Sequence, residues 1–248
     1  MDESLSAGGP ELSVVIPVCN EAGNVGPLAA EIGAALAGRR YEILFVDDGS
    51  TDATAESVRR ARAAGQPQIR LLRHSVRSGQ SAAICTGVRA AHATWVATLD
   101  GDGQNDPADI PKLLAARDAP GNGDVRLFMG HRVTRRDTVW RRVQSRIANG
   151  VRARLLGDAT PDTGCGIKLL HRATFLELPH FDHMHRFLPA LHRRAGVRVI
   201  SVPVSHRPRA GGTSKYGMFD RLWVGIVDLF GVMWLTRRHR PGLAVREE

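Results

Sequence analysis

The sequence contains no long hydrophobic run. A helix that spans a bilayer needs about 20 consecutive apolar residues, and no such run occurs in the 248 residues, so we do not expect an integral membrane protein. The first ten residues carry Asp2 and Glu3 and lack an apolar core segment, which argues against a secretory signal. We expect residues 1–10 to be disordered and the chain to be cytoplasmic.

Cysteine and aromatic residues are scarce. Cys19, Cys85 and Cys165 are odd in number, far apart and without paired metal-ligand spacing, which favours buried free thiols over disulfides or a zinc site. Aromatic residues make up 5% of the chain and no nucleic-acid-binding motif is present, so a nucleic-acid-binding module is an unfavoured alternative. The formal charge of +9 still indicates an anionic partner, either a phosphorylated substrate or an acidic lipid.

Short apolar segments alternate with helical patterns along the first half of the chain. This alternation is typical of an α/β fold with a parallel, doubly wound sheet, whose ligands bind beyond the carboxyl ends of the strands. We predict strands at 12–18, 41–46, 69–72, 95–99, 125–129 and 197–204, and helices at 25–36, 52–64, 81–91, 140–156 and 218–235.

Two acidic clusters directly follow predicted strands. Asp47 and Asp48 come after the second strand, and Asp100 and Asp102 come after the fourth, so we expect both pairs in one crevice. Carboxylates two residues apart, with the amide oxygen of Gln104 nearby, suit a hard cation such as Mg²⁺ or Mn²⁺. An isolated Asp-x-Asp also occurs in ordinary polar turns, so the interpretation depends on the neighbouring motifs.

The order of these loop motifs resembles that of family 2 glycosyltransferases with the GT-A fold. Pro17, Asn20 and Glu21 follow the first strand, and VDDGSTD (46–52) follows the second. The segments LDGDGQNDP (99–107), DTGCGIK (162–168), HRPR (206–209) and SKY (214–216) are similar to the polyprenyl-phosphate branch, the dolichol-phosphate mannosyltransferase-like enzymes. The resemblance covers residues 12–235. It implies a Rossmann-like, mostly parallel sheet flanked by helices, with a catalytic domain over residues 11–217.

The resemblance also implies roles for individual residues. Asp102 and Asp162 would be catalytic, with Asp162 orienting a donor hydroxyl, and the metal would be held by Asp100, Asp102 and Gln104. The nucleotide-sugar would be bound by Pro17, Asn20, Glu21, Asp47, Asp48, Gln80, Asp100, Gly101, Arg209, Ser214 and Lys215. The acceptor phosphate would be bound by Arg132, Arg141 and Ser145. The family commonly has Ala where this chain has Gly101, which loosens the turn.

The basic residues support a phosphate acceptor on separate physical grounds. A sugar hydroxyl usually needs a general base before it attacks. A phosphate monoester has a second pKa of about 6 and is largely dianionic at neutral pH, so it needs cations that position it. Arg132, Arg135, Arg136, Arg141 and Arg142 follow the fifth predicted strand, and guanidinium groups suit phosphate oxygens.

Two predicted helices indicate contact with a membrane or a partner. The helix at 140–156 is basic and amphipathic, which favours a membrane surface over a merely solvated face. The helix at 218–235 is apolar and a basic tail follows it, so residues 218–248 would form either an interfacial or partner-facing segment or a buried core helix. Many members of the branch carry one to four transmembrane helices after the catalytic domain; here a small membrane subunit or a homo-oligomer would take their place.

The sequence thus predicts a metal-dependent, inverting glycosyltransferase on the cytoplasmic face of the inner membrane. It would move a sugar from a nucleotide-sugar to a polyprenyl phosphate, with a UDP-sugar as the favoured donor and GDP-mannose as the alternative. One alternative is a family 2 enzyme that acts on a polysaccharide or soluble acceptor. His183 and His185 lie beside Asp182, but this spacing without further ligands indicates structural histidines rather than a metal site.

Overall fold

The computed structural model describes residues 8–133, 150, 152, 154–158, 160–205, 207 and 218–238. Most of the basic helix predicted at 140–156 lies outside these residues. So do several predicted site residues: Arg141, Ser145, Arg209, Ser214 and Lys215.

A seven-stranded sheet forms the centre of the molecule. Its order is β3-β2-β1-β4-β6-β5-β7, and every neighbouring pair is parallel except those of β6, which runs antiparallel to β4 and β5. The mostly parallel sheet that the sequence predicts is therefore confirmed. The strands are β1 Leu12–Val18, β2 Tyr41–Asp47, β3 Ile69–Arg73, β4 Trp95–Thr98, β5 Val125–Arg132, β6 Lys168–His171 and β7 Arg198–Val204.

Helices cover both faces of this sheet. The predicted helices of the first half agree with the observed ones within three residues at each end. In the part of the chain that the structure describes, the helices are α1 Ala22–Ala35, α2 Thr54–Ala63, α3 Gln80–Ala90, α4 Ile110–Asp118, α5 Arg172–Leu176, α6 Leu188–Arg194 and α7 Met218–Arg237. At the start of α2, Ala53 is the N-cap residue, and the Asp52 carboxylate accepts from the Thr54 N–H at 2.9 Å.

The buried strand β1 separates two hydrophobic clusters. Val14 and Ile16 pack on the side of α1, whereas Val15 packs with α3. All seven residues of β1 are buried, as expected for a central strand of a parallel sheet that is covered on both faces. The end of this strand is thereby fixed in position, and the loop that follows it begins from a rigid base.

Helix α3 approaches the sheet closely at Gly87. A Cβ atom at this position would overlap Val15 Cγ1 and would lie 3.1 Å from Val46 Cγ2. The absence of a side chain therefore sets the distance between α3 and the strands β1 and β2. This distance is relevant to function, because the first residue of α3, Gln80, belongs to the site described below.

We predict that Gly87→Ala lowers the free energy of unfolding by about 1–3 kcal/mol, because the added methyl group forces α3 away from the sheet. Gly231→Ala is the matched control: Gly231 is exposed in α7, and a Cβ atom added there would have nothing within 4 Å, so alanine should raise the free energy of unfolding by up to about 1 kcal/mol. Urea denaturation measures both. Equal effects of the two substitutions would contradict the close approach at Gly87.

Candidate active site

The loops after β1 and β2 are joined by hydrogen bonds. The Asn20 N–H donates to Ser50 Oγ at 2.9 Å, and the Thr51 N–H donates to Asn20 Oδ1 at 2.8 Å. Asn20 has a φ of 58°, a left-handed conformation that asparagine tolerates better than most residues. The Glu21 N–H also donates to Thr54 Oγ1 at 2.9 Å. The two loops that the sequence assigns to the nucleotide thus form one connected surface.

The carboxylate of Asp47 is fully buried and engaged within the protein. It accepts from the Ser50 N–H at 2.9 Å and from Arg73 Nε at 2.9 Å. These bonds close the turn after β2 and tie it to the end of β3. A role of Asp47 in nucleotide binding remains a prediction, and it would act through this turn.

Asp48 anchors the start of α3. Its carboxylate accepts from His74 Nδ1 and from the N–H groups of Ser78 and Gly79, each at 2.8 Å. Burial raises the pKa of Asp48, but the hydrogen bonds from His74 and the two amides outweigh it, so the pKa lies below its ordinary value. Asp48 is therefore a carboxylate at neutral pH, and it fixes the residue that precedes Gln80.

The second acidic cluster meets the first through Gln80. The Gln80 side-chain amide donates to Asp100 Oδ1 at 2.8 Å, and the Asp100 N–H donates to Asn105 Oδ1 at 2.9 Å. A Cβ atom at Gly166 would overlap both Asp100 Oδ2 and Asn105 Oδ1. Asp48 and Asp100 thus converge as predicted from their positions at the carboxyl ends of parallel strands, here β2 and β4 on either side of β1, with the start of α3 between them.

Gly101 allows the Asp-x-Asp turn to lie against β1. A Cβ atom at this position would lie 2.7 Å from Val18 Cγ1 and 2.9 Å from the Pro17 carbonyl oxygen. The glycine therefore does more than loosen the turn: it permits the close approach of the turn to the end of β1. Pro17 contributes its carbonyl to this contact.

Asp100 and Lys168 form an electrostatic pair beneath the turn. Burial raises the pKa of Asp100, the positive charge of Lys168 opposes this rise, and the negative charge of Asp102 adds to it. Burial lowers the pKa of Lys168, whose ammonium group donates to the Cys165 carbonyl. The two carboxylates repel each other in surroundings with little water, and a divalent cation would relieve this repulsion.

The donor atoms around the turn fit a hard cation. Asp102 Oδ1 accepts from the Gln104 N–H at 3.1 Å. This hydrogen bond fixes the Asp102 carboxylate relative to Gln104, and both residues belong to the predicted set of metal ligands. Among the described residues, no group of three or more His, Cys, Asp and Glu side chains is placed to hold a metal. Two carboxylates and one amide oxygen are nevertheless a suitable set for Mg²⁺ or Mn²⁺, which usually complete their coordination with water and substrate phosphates.

Arg132 and Asp162 form a bidentate ion pair. Arg132 Nε lies 2.6 Å from Asp162 Oδ2, and the terminal nitrogen Nη2 lies 2.8 Å from Oδ1. The Asp162 side chain is almost fully buried and that of Arg132 is 17% exposed. Hydrogen bonding to Asp162 raises the pKa of Arg132 against the effect of burial. In the structure Asp162 orients this guanidinium group; the donor-hydroxyl role predicted for it remains a prediction.

Several residues of the site are not singled out by the sequence. Lys168 and Asn105 are part of the motifs at 162–168 and 99–107, but the sequence assigns no role to either residue. A lysine at the start of the apolar strand β6 could have given a signal, because lysine is rarely buried. His185, which the sequence predicts to be structural, shares a hydrogen bond of 2.7 Å between its Nδ1 and Ser81 Oγ, and burial lowers its pKa to about 3. Arg207 gives no signal beyond its place in the HRPR motif.

Comparison with known proteins supports the same conclusion. The model of the family described as Glycosyl transferase family 2 matches residues 13–178. Dodecaprenyl-phosphate galacturonate synthase from Rhizobium johnstonii is 36% identical over 240 residues, which cover 94% of this chain and 69% of the relative. Undecaprenyl-phosphate 4-deoxy-4-formamido-L-arabinose transferase from Edwardsiella ictaluri is 35% identical over 209 residues, which cover 84% of this chain and 63% of the relative. The chain thus spans about two thirds of the length of each relative.

Solved structures resemble the fold throughout. Glucosyl-3-phosphoglycerate synthase from Mycobacterium tuberculosis, in complex with Mn²⁺, UDP and glucosyl-3-phosphoglycerate, has a TM-score of 0.68 at 19% identity, covering 92% of this chain and 80% of that chain. A mannosyltransferase from Pyrobaculum calidifontis with GDP-Man and Mn²⁺ has a TM-score of 0.67 at 22% identity, covering 95% and 67%. These similarities establish the GT-A fold. Together with the family match, which covers more than half of the sequence, they confirm that the chain is a glycosyltransferase and belongs to glycosyl transferase family 2.

Proposed function

We propose that this glycosyltransferase moves a sugar from a nucleotide-sugar to a polyprenyl phosphate, with Mg²⁺ or Mn²⁺ bound at the Asp-x-Asp turn. The observation that carries the proposal is the proximity of two groups. A Cβ atom at Gly166 would overlap Asp100 Oδ2, and one at Gly164, two residues earlier, would lie 3.4 Å from Arg132 Nη2. A cation suited to an acceptor phosphate therefore lies near a carboxylate suited to the metal. The names of the relatives, a dodecaprenyl-phosphate and an undecaprenyl-phosphate enzyme, support the acceptor class.

The donor is proposed to be a UDP-sugar, with GDP-mannose as the alternative. One structural neighbour holds UDP with Mn²⁺ and another holds GDP-Man with Mn²⁺, so the fold accommodates either base. The connected loops at Asn20, Glu21, Asp47 and Asp48 would receive the nucleoside. Outside the described residues, Arg209, Ser214 and Lys215 would contact the donor diphosphate.

The residues around the turn each have a distinct part in the proposed transfer. Asp100, Asp102 and Gln104 would hold the metal, which supplies stabilisation of the negative charge on the departing nucleoside diphosphate. Gln80 holds Asp100 in place by a hydrogen bond, and the positive charge of Lys168 balances its negative charge.

Arg132 would position the acceptor. Asp162 occupies Nε and one Nη2 hydrogen of its guanidinium group, which leaves the Nη1 hydrogens for a phosphate oxygen. Arg141 and Ser145, outside the described residues, would complete the acceptor site. Because the phosphate is already anionic, it attacks the anomeric carbon without a general base, in one displacement that inverts the configuration.

The proposed acceptor is a membrane lipid, and α7 offers a surface for that membrane. Among the described residues, no helix has the length and apolar character needed to cross a bilayer. The side chains of Ile226, Val227, Phe230 and Trp234 on α7 are 37–60% exposed, and Arg237 follows at the end of the helix. We propose that residues 218–248 place the catalytic domain, residues 11–217, on the cytoplasmic face of the membrane; a membrane subunit or a second copy would use the same apolar surface.

We predict that nucleoside diphosphate release requires both lipid and metal. With a panel of UDP- and GDP-sugars, release should depend on a short polyprenyl phosphate, stop with EDTA and return with Mn²⁺. Asp102→Asn should lower kcat/KM by about 100-fold or more, whereas Asp124→Asn, an exposed carboxylate at the opposite end of the sheet, should retain activity. Release without lipid would instead support a soluble or polysaccharide acceptor, and full activity in EDTA would contradict the metal.

We further predict that Asp162→Asn raises the KM for polyprenyl phosphate by about tenfold, because Arg132 loses the carboxylate that orients it. The KM for the nucleotide-sugar should stay unchanged. Arg132→Gln should have the same effect, and the double variant should be no worse than Arg132→Gln, since both substitutions disrupt one unit. If Asp162→Asn changes the KM for the donor and leaves that for the acceptor, Asp162 acts on the donor sugar instead.

A further inference from the structure

Arg207 contacts the proposed metal-binding turn from a distant part of the sequence. It follows β7, whereas the turn from Asp100 to Asp106 follows β4. We propose that Arg207 is a positioning residue for this turn and that it maintains the geometry in which Asp102 and Gln104 bind the metal. The inference rests on the proposed metal site and goes beyond it, because Arg207 itself would touch neither metal nor substrate.

Three hydrogen bonds connect Arg207 to its surroundings. One terminal nitrogen donates to Glu31 on α1 at 2.7 Å, and the other lies 2.7 Å from Asp106 Oδ1. The backbone N–H donates to the Gln104 carbonyl at 3.1 Å. A single residue therefore links the turn to α1 and to the end of β7.

The peptide groups of Gln104 are held at both ends. Its carbonyl accepts from Arg207, and its N–H donates to Asp102 Oδ1 at 3.1 Å. A displacement of Arg207 would move this backbone and, through it, the Asp102 carboxylate. Arg207 is thus connected to the proposed metal ligand Asp102 by two hydrogen bonds, both of which are made by the backbone of Gln104.

Asp106 holds the Arg207 side chain from the segment that follows the turn. Its carboxylate accepts from Arg207 and also from the Ala108 N–H at 3.0 Å, where it caps the short 3₁₀ helix Pro107–Asp109. Buried Asp109 in turn accepts from the Ser205 N–H at 2.6 Å. The end of β7 is therefore joined to the segment after the turn at two places, one by Arg207 and one by Ser205.

The contribution of Arg207 to overall stability should be small. Its side chain is 39% exposed and that of Glu31 is 44% exposed, and ion pairs with this exposure contribute little to folding. The same contacts can still matter for a metal site, because ligands that are already in position bind without a further cost of ordering. The expected effect is therefore on metal affinity rather than on unfolding.

Two physical roles for Arg207 predict opposite changes in metal affinity. If its positive charge acted only by electrostatics, removing the charge would leave Asp106 and Glu31 unbalanced and would strengthen the binding of a cation. If Arg207 positions the turn, removing its side chain weakens that binding. The sign of the change therefore separates the two roles.

The experiment measures Mn²⁺ affinity in the presence of saturating UDP, by electron paramagnetic resonance of free Mn²⁺. Arg207→Gln should weaken Mn²⁺ binding about three- to tenfold, and Arg207→Lys, which keeps the charge and can retain one of the two carboxylate contacts, should lie between. In activity assays the Mn²⁺ concentration for half-maximal rate should rise, while kcat at saturating Mn²⁺ recovers. Arg198→Gln is the matched control, because Arg198 makes a similarly exposed ion pair with Asp124, at 2.6 Å, at the other end of β7.

Each outcome bears on the inference. Unchanged or tighter Mn²⁺ binding in Arg207→Gln, with binding lost in Asp102→Asn, would overturn the positioning role and leave the proposed metal site standing. Unchanged binding in Asp102→Asn would remove the proposed site and the inference together. Equal weakening in Arg207→Gln and Arg198→Gln would show that the loss does not depend on the contacts of Arg207 with the turn, which also overturns the inference.

Discussion

The partial burial of the Asp100 carboxylate beside the charge of Asp102 is the constraint on which the rest of the site depends. A carboxylate in such surroundings costs several kcal/mol unless hydrogen bonds and opposite charge compensate. Here the Gln80 amide at the start of α3 donates to the carboxylate, and the ammonium group of Lys168 at the start of β6 supplies the opposite charge. Asn105 in the turn accepts from the Asp100 backbone N–H and so holds the residue in place. Each of these elements must hold its place for the site to keep its charge, so the fold and the site are stabilised by the same contacts.

The acidic residues Asp47 and Asp48 stabilise the loops that carry them. Asp47 closes the turn after β2, and Asp48 holds the two amides that precede Gln80. Asp48 is thereby linked to Asp100 through the first residues of α3. Glycines complete this arrangement where side chains would collide, as Gly166 does against Asp100.

The sequence predicts β1 to β4 and their helices well, because continuous apolar strands and amphipathic helices repeat there with clear turns between them. It also predicts that the acidic pairs converge, because both pairs follow the carboxyl ends of strands in one parallel sheet. It does not predict pairings over long separations, such as Asp162 with Arg132 or Arg207 with Asp106, since no local pattern encodes them. Strand β6 is absent from the prediction because it has four residues, opens with a lysine and runs antiparallel to its neighbours.

The charges of the described site argue for a cation independently of any relative. The site contains three carboxylates, those of Asp100, Asp102 and Asp162, and two cations, Lys168 and Arg132. Asp162 already forms an ion pair with the Arg132 guanidinium group. A diphosphate donor and a phosphate acceptor would both add negative charge to this cluster, and their approach would be repelled unless positive charge came with them. A divalent metal at the turn reverses the sign of the cluster. The arginines that follow β5 in the sequence supply further positive charge for the two phosphate-bearing substrates. Part of the formal charge of +9 thus has a role in the proposed reaction.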